Sequence, residues 1–336
     1  MKKHLSIITG FLLSAGLLFL VFRQLDFKSV AGAYAHVTAV HVIVLALAVM
    51  LDLTVRGIRW KLLVSPCVKA PAFTMIKLET IGLALNNVLP LRLGELARTT
   101  IGAGVLKVPF TTLLSTIVVE RALDTISLGT IFILTARFGS GIEWVKKYDA
   151  AVWTLLGVML VGIAALIFMD VLLERNPVVR GLAQRFPRLG GLARKIAVGA
   201  EALRIPRLAA VIVLMGLGLW FVNAFGYYWG ARAMGIQPPV SYGRALMILC
   251  TSALAVSLPS MPGYFGAFEL AIQRIMMTWG VDKDISFAYA AFMHINIYIV
   301  MTLLGMIFLY QMGHSIESMW RNLTGGKKDE CSVKKD

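Results

Sequence analysis

Leu85-Asn86-Asn87-Val88-Leu89-Pro90-Leu91-Arg92-Leu93-Gly94-Glu95-Leu96-Ala97-Arg98 lies between two apolar stretches, yet it carries two amides, a proline, two arginines and a carboxylate. An ionised side chain at the centre of a bilayer costs about 2.5–3.5 kcal/mol or more, so charges at that depth are placed for function. Proline interrupts a helix, and non-helical backbone at membrane depth is tolerated only against protein or water. The stretch therefore reads as a broken, re-entrant helix lining a polar cavity. A loop at the cytoplasmic surface is the bland alternative.

Outward from that stretch, the class follows from composition. The 336 residues are 58% hydrophobic, and the mean hydropathy is +0.77. Several apolar runs are long enough to cross a bilayer, so the expectation is an all-α polytopic membrane protein. Three cysteines, Cys67, Cys250 and Cys331, are too dispersed for a disulfide framework or a zinc site. The net charge of +15 falls between apolar runs. That placement fits anionic headgroups and topology signalling, not nucleic acid.

Six full spans are predicted, at about 5–22, 38–55, 110–136, 150–170, 208–230 and 286–312. The first could be mistaken for a signal peptide, but it has 18 uncharged residues and no clear cleavage site after it. Two proline/glycine-broken hairpins, at about 72–106 and 245–279, are predicted to be re-entrant. The segment 173–207 holds eight Arg or Lys against two acids and reads as amphipathic and cytoplasmic. Residues 1–312 form one transmembrane domain, and 313–336 a polar cytoplasmic tail. With both termini inside and both hairpins re-entrant, the cytoplasmic side holds 20 basic residues and the outer side six. That asymmetry selects this orientation over its alternatives.

The two breaks resemble each other. One reads Leu89-Pro90, then Gly94 and Glu95; the other reads Leu258-Pro259, then Gly263, Gly266 and Glu269. Entering from opposite sides, they would form an inverted repeat that builds a site near the midplane. Pro90, Gly94, Pro259, Pro262, Gly263 and Gly266 are the expected hinge positions, since proline and glycine set or free the backbone there. Helices that restart after such breaks present free N–H groups and a positive dipole end to an anion. Arg92 and Arg98 could each grip a phosphate or carboxylate with two hydrogen bonds. Glu95 could orient Arg98, and Asn86 and Asn87 could donate to headgroup oxygens. A plain ion pair closing the bend is the competing account.

Glu120, Arg121 and Asp124 sit in the middle of an otherwise uncharged run, with Glu120 and Asp124 on one helix face. They must face the bundle interior, to hold the hairpin arginines, to carry protons or as a structural ion network. Tyr264, Phe265 and Phe268 could stack on a glycerol, sugar or acyl portion, and Glu269 follows one turn after Gly266. Arg56, Arg59, Trp60 and Lys61 read as an interface anchor at a helix end. His294 reads as a satisfied interior side chain. No Walker phosphate loop, HExxH or GxSxG occurs. The expectation is therefore no enzyme, no catalytic residue, no cofactor and no metal.

Four stretches carry a family resemblance: Arg56-Gly57-Ile58-Arg59-Trp60-Lys61-Leu62-Leu63, Asn87 to Arg98, Glu120-Arg121-Ala122-Leu123-Asp124, and Pro262-Gly263-Tyr264-Phe265-Gly266-Ala267-Phe268-Glu269. In this order they resemble the lysylphosphatidylglycerol synthase transmembrane family, which includes the flippase-like domain of the bacterial multiple peptide resistance factor. The resemblance covers about 5–312. It implies a lipid flippase fold with two re-entrant hairpins around a headgroup cavity. The family's polar positions fall on Asn87, Arg92, Glu95, Arg98, Glu120, Arg121, Asp124 and Glu269. No soluble aminoacyl-transferring domain follows, so lysyl transfer is not implied. The second motif is less glycine-rich than the family pattern, which leaves the substrate open.

The resulting expectation is an inner-membrane translocase for a lipid with an anionic or phosphate-bearing headgroup. A secondary transporter of a soluble anion and an accessory subunit of a polyprenyl-linked sugar or lipid-modifying enzyme are the alternatives. The lipid itself is the expected ligand. Lipid-biosynthesis enzymes and a second copy of the chain are candidate partners.

Overall fold

The computed structural model describes residues 26–89, 93–138, 149–168, 171–172, 175–186, 190–191, 196–236, 238–257, 262–317 and 319–320. The span expected at 5–22, the break residues Pro90, Arg92 and Pro259, and the tail beyond 320 lie outside them. The described residues are all-helical: α1 Phe27–Ala33, α2 Ala39–Val64, α3 Ala72–Val88, α4 Gly94–Leu106, α5 Phe110–Phe138, α6 Asp149–Ile167, α7 Pro177–Arg185, α8 Pro206–Ala233, α9 Tyr242–Ser257, α10 Ala267–Met277 and α11 Lys283–Gln311. Short 3-10 turns occur at Glu201–Arg204 and Pro262–Tyr264. Three helices, α2, α8 and α11, are long and apolar enough to cross a membrane by length and composition. The protein is a multi-pass membrane protein.

Local chemistry sets the helix ends. The Thr38 N–H donates to His41 Nδ1 at 3.1 Å to start α2, and Pro66 follows soon after its end. Leu89 closes α3 with an extended backbone, ψ 142°, as a residue before proline must. The Asp282 side chain accepts the N–H groups of Asp284 and Ile285 to open α11. Lys107 ends α4 in the left-handed region, at φ 55°.

At 1.5 Å per residue, α3 is about 25 Å long and α4 about 20 Å, both short of a bilayer core of about 30 Å. The two pack against each other as a helical hairpin, and α9 and α10 do the same. The first hairpin needs glycine at its turn. A Cβ on Gly94 would sit 2.0 Å from the Gly82 carbonyl oxygen. The same N–H of Gly94 donates to Asn86 Oδ1 at 2.9 Å, which ties the two arms. In the second break, Gly263, Tyr264 and Gly266 all have positive φ, at 76°, 61° and 87°. Gly263 and Gly266 thus allow the turn, and Tyr264 adopts a conformation costly for a side chain with a Cβ.

Each hairpin has its own apolar core. Trp60, Leu78, Ile81, Leu85 and Leu113 surround the first, and Met247, Ile272, Met276, Tyr289 and Met293 the second. The helix α3 lies between α2 and α11, and the turn Pro262–Tyr264 packs on it, so the second break meets the first hairpin. Close approach again depends on small residues: Cβ atoms on Gly57 and Gly305 would fall 2.5 Å from Ile76 Cα and 2.1 Å from Ala84 Cβ. Polarity is inverted relative to a water-soluble protein. Val161 and Leu214 are 68% and 66% exposed, while Glu79 and Glu120 are 0% exposed. Apolar side chains outside and charges inside are what a hydrocarbon solvent selects. Within the segment 173–207, α7 carries Arg180 and Arg185 exposed, whereas Ala202 and Leu203 of the 3-10 turn are buried.

One sequence expectation is corrected. Arg56, Arg59 and Trp60 do not anchor a helix end at an interface. No breaker precedes Pro66, so α2 runs on to Val64 and carries them inside, with Arg59 and Trp60 at 1% and 0% exposure.

Candidate functional site

Four helices bring their charges to one point. On α2, Asp52, Arg56 and Arg59 recur at helical spacing on a single face. Glu79 comes from α3, Glu95 and Arg98 from α4, and Glu120, Arg121 and Asp124 from α5. Arg59 Nη2 lies 2.6 Å from Asp124 Oδ1 and 3.4 Å from Glu120 Oε1. Arg98 Nη2 donates to Glu120 Oε2 at 2.9 Å, and Nη1 pairs with Glu79. Arg98 also lies over the Trp60 ring, 4.6 Å from its centroid, and the Trp60 indole N–H donates to Thr116 at 3.0 Å. Arg56 Nε meets Asp52 at 2.9 Å, and its Nη1 lies 3.6 Å from Asp124.

Arg121 is the hub. Its Nη2 is 2.6 Å from Glu120, 3.4 Å from Asp124 and 3.8 Å from Glu79, and its Nε is 3.6 Å from Glu95. Four arginines thus face five carboxylates, a formal charge of −1 among the described residues. Charge balance is what permits burial: each ion would otherwise carry several kcal/mol of desolvation penalty. The arginines differ in access. The side chains of Arg59 and Arg98 are 1% and 2% exposed, whereas that of Arg121 is 33% exposed.

Arg121 opens onto a cavity of about 250 Å³. The first hairpin contributes Asn86 and Asn87 to its wall, and the second contributes Tyr264 and Phe268. Asp52 and Arg56 of α2 and Asn223 and Trp220 of α8 close another side, and His294 and Tyr298 of α11 complete it. Asn223 donates to Asp52 at 2.7 Å. Trp220 stacks beneath Arg56, 5.3 Å from its guanidinium carbon, and its buried indole N–H has no hydrogen-bond partner among the described residues. The volume falls below the roughly 300–1,000 Å³ of typical ligand pockets. It suits a phosphate-sized group and leaves no room for acyl chains.

The residues singled out from sequence thus divide in two. Asn86, Asn87, Arg121 and Tyr264 come together on the cavity wall. Glu95, Arg98, Glu120 and Asp124 stand behind it in the ion network. Glu269 is also set back: its Oε2 accepts the Gly266 N–H at 2.7 Å, and its Oε1 pairs with Nδ1 of His294. His294 therefore has the interior partner expected of it. The Asn87 amide donates to Thr302 on α11 at 3.0 Å, which leaves its second N–H to a ligand. Arg92 lies outside the described residues. Sequence reasoning missed Asp52, Glu79, Trp220 and Asn223, and misplaced Arg56 and Arg59. The spacing Asp52, Arg56, Arg59 was the available signal, since it aligns three charges on one face of an otherwise apolar helix.

A family profile described as the lysylphosphatidylglycerol synthase TM region matches residues 7–305. A UPF0104 membrane protein of Methanothermobacter thermautotrophicus is 24% identical over 279 residues, covering 79% of this chain and 82% of the relative. No solved structure matches.

Proposed function

The chain belongs to the lysylphosphatidylglycerol synthase transmembrane family, and on that premise we propose that it is a lipid translocase whose cavity takes an anionic or phosphate-bearing headgroup. One observation carries the reading: Asn86 and Asn87 at the end of α3 and Tyr264 in the second break wall the same small cavity, at the point where a partly open arginine emerges from a buried ion network. Arg121 and Arg56 meet the headgroup oxygens, with the amides of Asn86, Asn87 and Asn223 and the Trp220 N–H as further donors. Arg92 is a further candidate from its place in the sequence alone. The carboxylates of Glu120, Asp124, Glu79 and Glu95 hold the arginines in place. The acyl chains stay in lipid.

In this reading the hairpins are re-entrant arms of an inverted repeat, and their rocking exposes the cavity to alternate leaflets. The chain sits in a bacterial inner membrane with both termini cytoplasmic. Removing Arg56 and Arg59 from the cytoplasmic tally of 20 leaves 18 basic residues against six outside, so the charge asymmetry still supports that orientation. Lipid-synthesis enzymes are candidate partners, supplying the lipid that is moved.

The test is mass spectrometry of lipids that co-purify with the wild type, Arg92→Ala and Arg121→Lys. It is paired with flipping of a fluorescent phosphatidylglycerol in vesicles of phosphatidylglycerol and phosphatidylethanolamine. One lipid class enriched in the wild type and depleted in both variants is expected. Arg121→Lys keeps the charge and removes the planar fork, so flipping should fall on the order of tenfold. Full flipping in Arg121→Ala would remove the central claim. The cavity volume equally suits a free anion, which favours soluble-anion transport as the second reading. Uptake of phosphate or a carboxylate by whole cells, with no lipid enriched on the purified protein, would establish that reading instead.

A further inference from the structure

We propose that Glu269 and His294 form a proton site, and that the proton is the coupling ion of this membrane protein. The network carboxylates are poor places for a proton. Asp52, Glu79, Glu120 and Asp124 each lie within 4.0 Å of at least one arginine nitrogen, and protonation would strand a buried guanidinium; Glu95, 35% exposed, shares Arg121 with Glu79, Glu120 and Asp124. Glu269 is different. Its charged partner among the described residues is a histidine, the side chain that takes and gives protons near neutral pH. Both side chains are buried, at 4% and 6% exposure, and His294 reaches the cavity wall.

The surroundings isolate the pair. Phe265 and Phe268 pack on the imidazole with centroids at 4.5 Å, and Tyr298 meets it edge-on at 6.3 Å. Across the cavity stand Asp52 and Arg56 of α2, Arg121 of α5, Tyr227 of α8, and Tyr264 in the break. On the packed helices, Arg244 of α9 lies over Trp279, and Cys250 faces the Leu128 carbonyl. Arg274 of α10 is exposed. Lys283 and Asp284 lie in the first turn of α11, away from His294. Tyr289 of α11 donates to the Tyr227 carbonyl, and Tyr34, which follows α1, to that of Ala288. On α3, Glu79 is held by Arg98, and Lys77 lies over Phe73.

The proton balance is simple. A neutral His294 donates Nδ1–H to the Glu269 carboxylate, and the pair carries −1. A proton from the cavity adds at Nε2, and the Nδ1 proton shifts toward Glu269, so the pair becomes neutral. Glu269 also holds the second break, because its Oε2 accepts the Gly266 N–H at 2.7 Å. Hydrogen bonds to a carboxylate are roughly twice as strong as those to a neutral acceptor. Protonation therefore loosens the cap on a turn in which Tyr264 already holds a conformation costly for a side chain with a Cβ. Proton uptake at the cavity is thereby linked to motion of the second hairpin.

The proposal rests on the translocase reading only for what the proton drives, and the site is tested without lipid transport. Infrared titration of the full chain in detergent, from about pH 5 to about pH 9, reads carboxyl and imidazole bands. Among the carboxyl bands, the wild type should show one pH-dependent change that disappears in Glu269→Gln. In His294→Gln, which leaves the Gly266 cap intact, the midpoint should shift by at least one pH unit. A titration unchanged in both variants overturns the proposal. In vesicles, an imposed pH gradient should accelerate flipping of fluorescent phosphatidylglycerol by the wild type and leave Glu269→Gln unaffected; equal acceleration of both overturns the coupling. If the infrared titration behaves as expected and no vesicle moves lipid, the proton site stands and the translocase reading falls.

Discussion

Glu120→Ala should yield a protein that barely folds. Glu120 is fully buried and is approached by three arginines, Arg121 at 2.6 Å, Arg98 at 2.9 Å and Arg59 at 3.4 Å. Truncation removes the acceptor from all three. The arginines cannot follow water outward, because Arg59 and Arg98 are enclosed by Trp60 and the apolar core of the first hairpin. Removing one member of a buried pair typically costs about 3–5 kcal/mol, and here one carboxylate serves three cations. The expected measurement is a fall in Tm on the order of 10 °C in detergent, or loss of monodisperse protein. Glu95→Ala is the control. Its side chain is 35% exposed and lies 3.6 Å from Arg121, so it should cost about 0–1 kcal/mol. Equal stability of the two variants would mean that the network is not what holds the four helices together.

Gly94→Ala should separate the arms of the first hairpin. The added methyl would meet the Gly82 carbonyl oxygen at 2.0 Å and the Asn86 nitrogen at 2.6 Å. These are backbone atoms, so no side chain can swing aside. Overpacking commonly costs about 1–3 kcal/mol, and this contact is tight enough to reach the upper end. The functional loss should exceed the stability loss. Displacing α4 breaks the Gly94–Asn86 hydrogen bond, moves Asn86 off the cavity wall and shifts Arg98 from Glu79. Flipping should therefore be lost while some protein still folds. Gly104→Ala on the same helix is the control: nothing lies within 4 Å of its Cβ position. It should be neutral, or stabilising by about 0.5–1 kcal/mol through helix propensity. Activity retained in Gly94→Ala would show that the hairpin has slack the close contact denies.

These two sites depend on contacts across helices, whereas the helix ends depend on local sequence. The bounds of the helices were largely legible: hairpin arms expected at 72–106 and 245–279 match α3, α4, α9 and α10 to within a few residues. Proline and glycine act on their own backbone and their neighbours, so a break is encoded where it occurs. The inward direction of Glu120, Arg121 and Asp124 was legible for the same kind of reason. Charge surrounded on one helix by apolar residues has nowhere else to go.

What the sequence by itself determined is therefore the membrane class, the positions of the breaks and the set of charges that had to be buried. Only the tertiary structure decided which charge meets which. Arg98 looked like a ligand from its place beside the break, but the α3–α4 contact turns it onto Glu79 and Glu120. Arg121 pairs with Asp124, as the i,i+3 spacing implies, and the tertiary structure adds that it also reaches the cavity. Arg56 and Arg59 entered the network because α2 passes beside α5, a contact between residues some 60 positions apart. Periodicity and propensity are local along the chain, whereas pairing energy depends on distances across helices. The hairpin geometry that sets those distances is fixed by close contacts at Gly57, Gly94 and Gly305, whose partners no single stretch of sequence names.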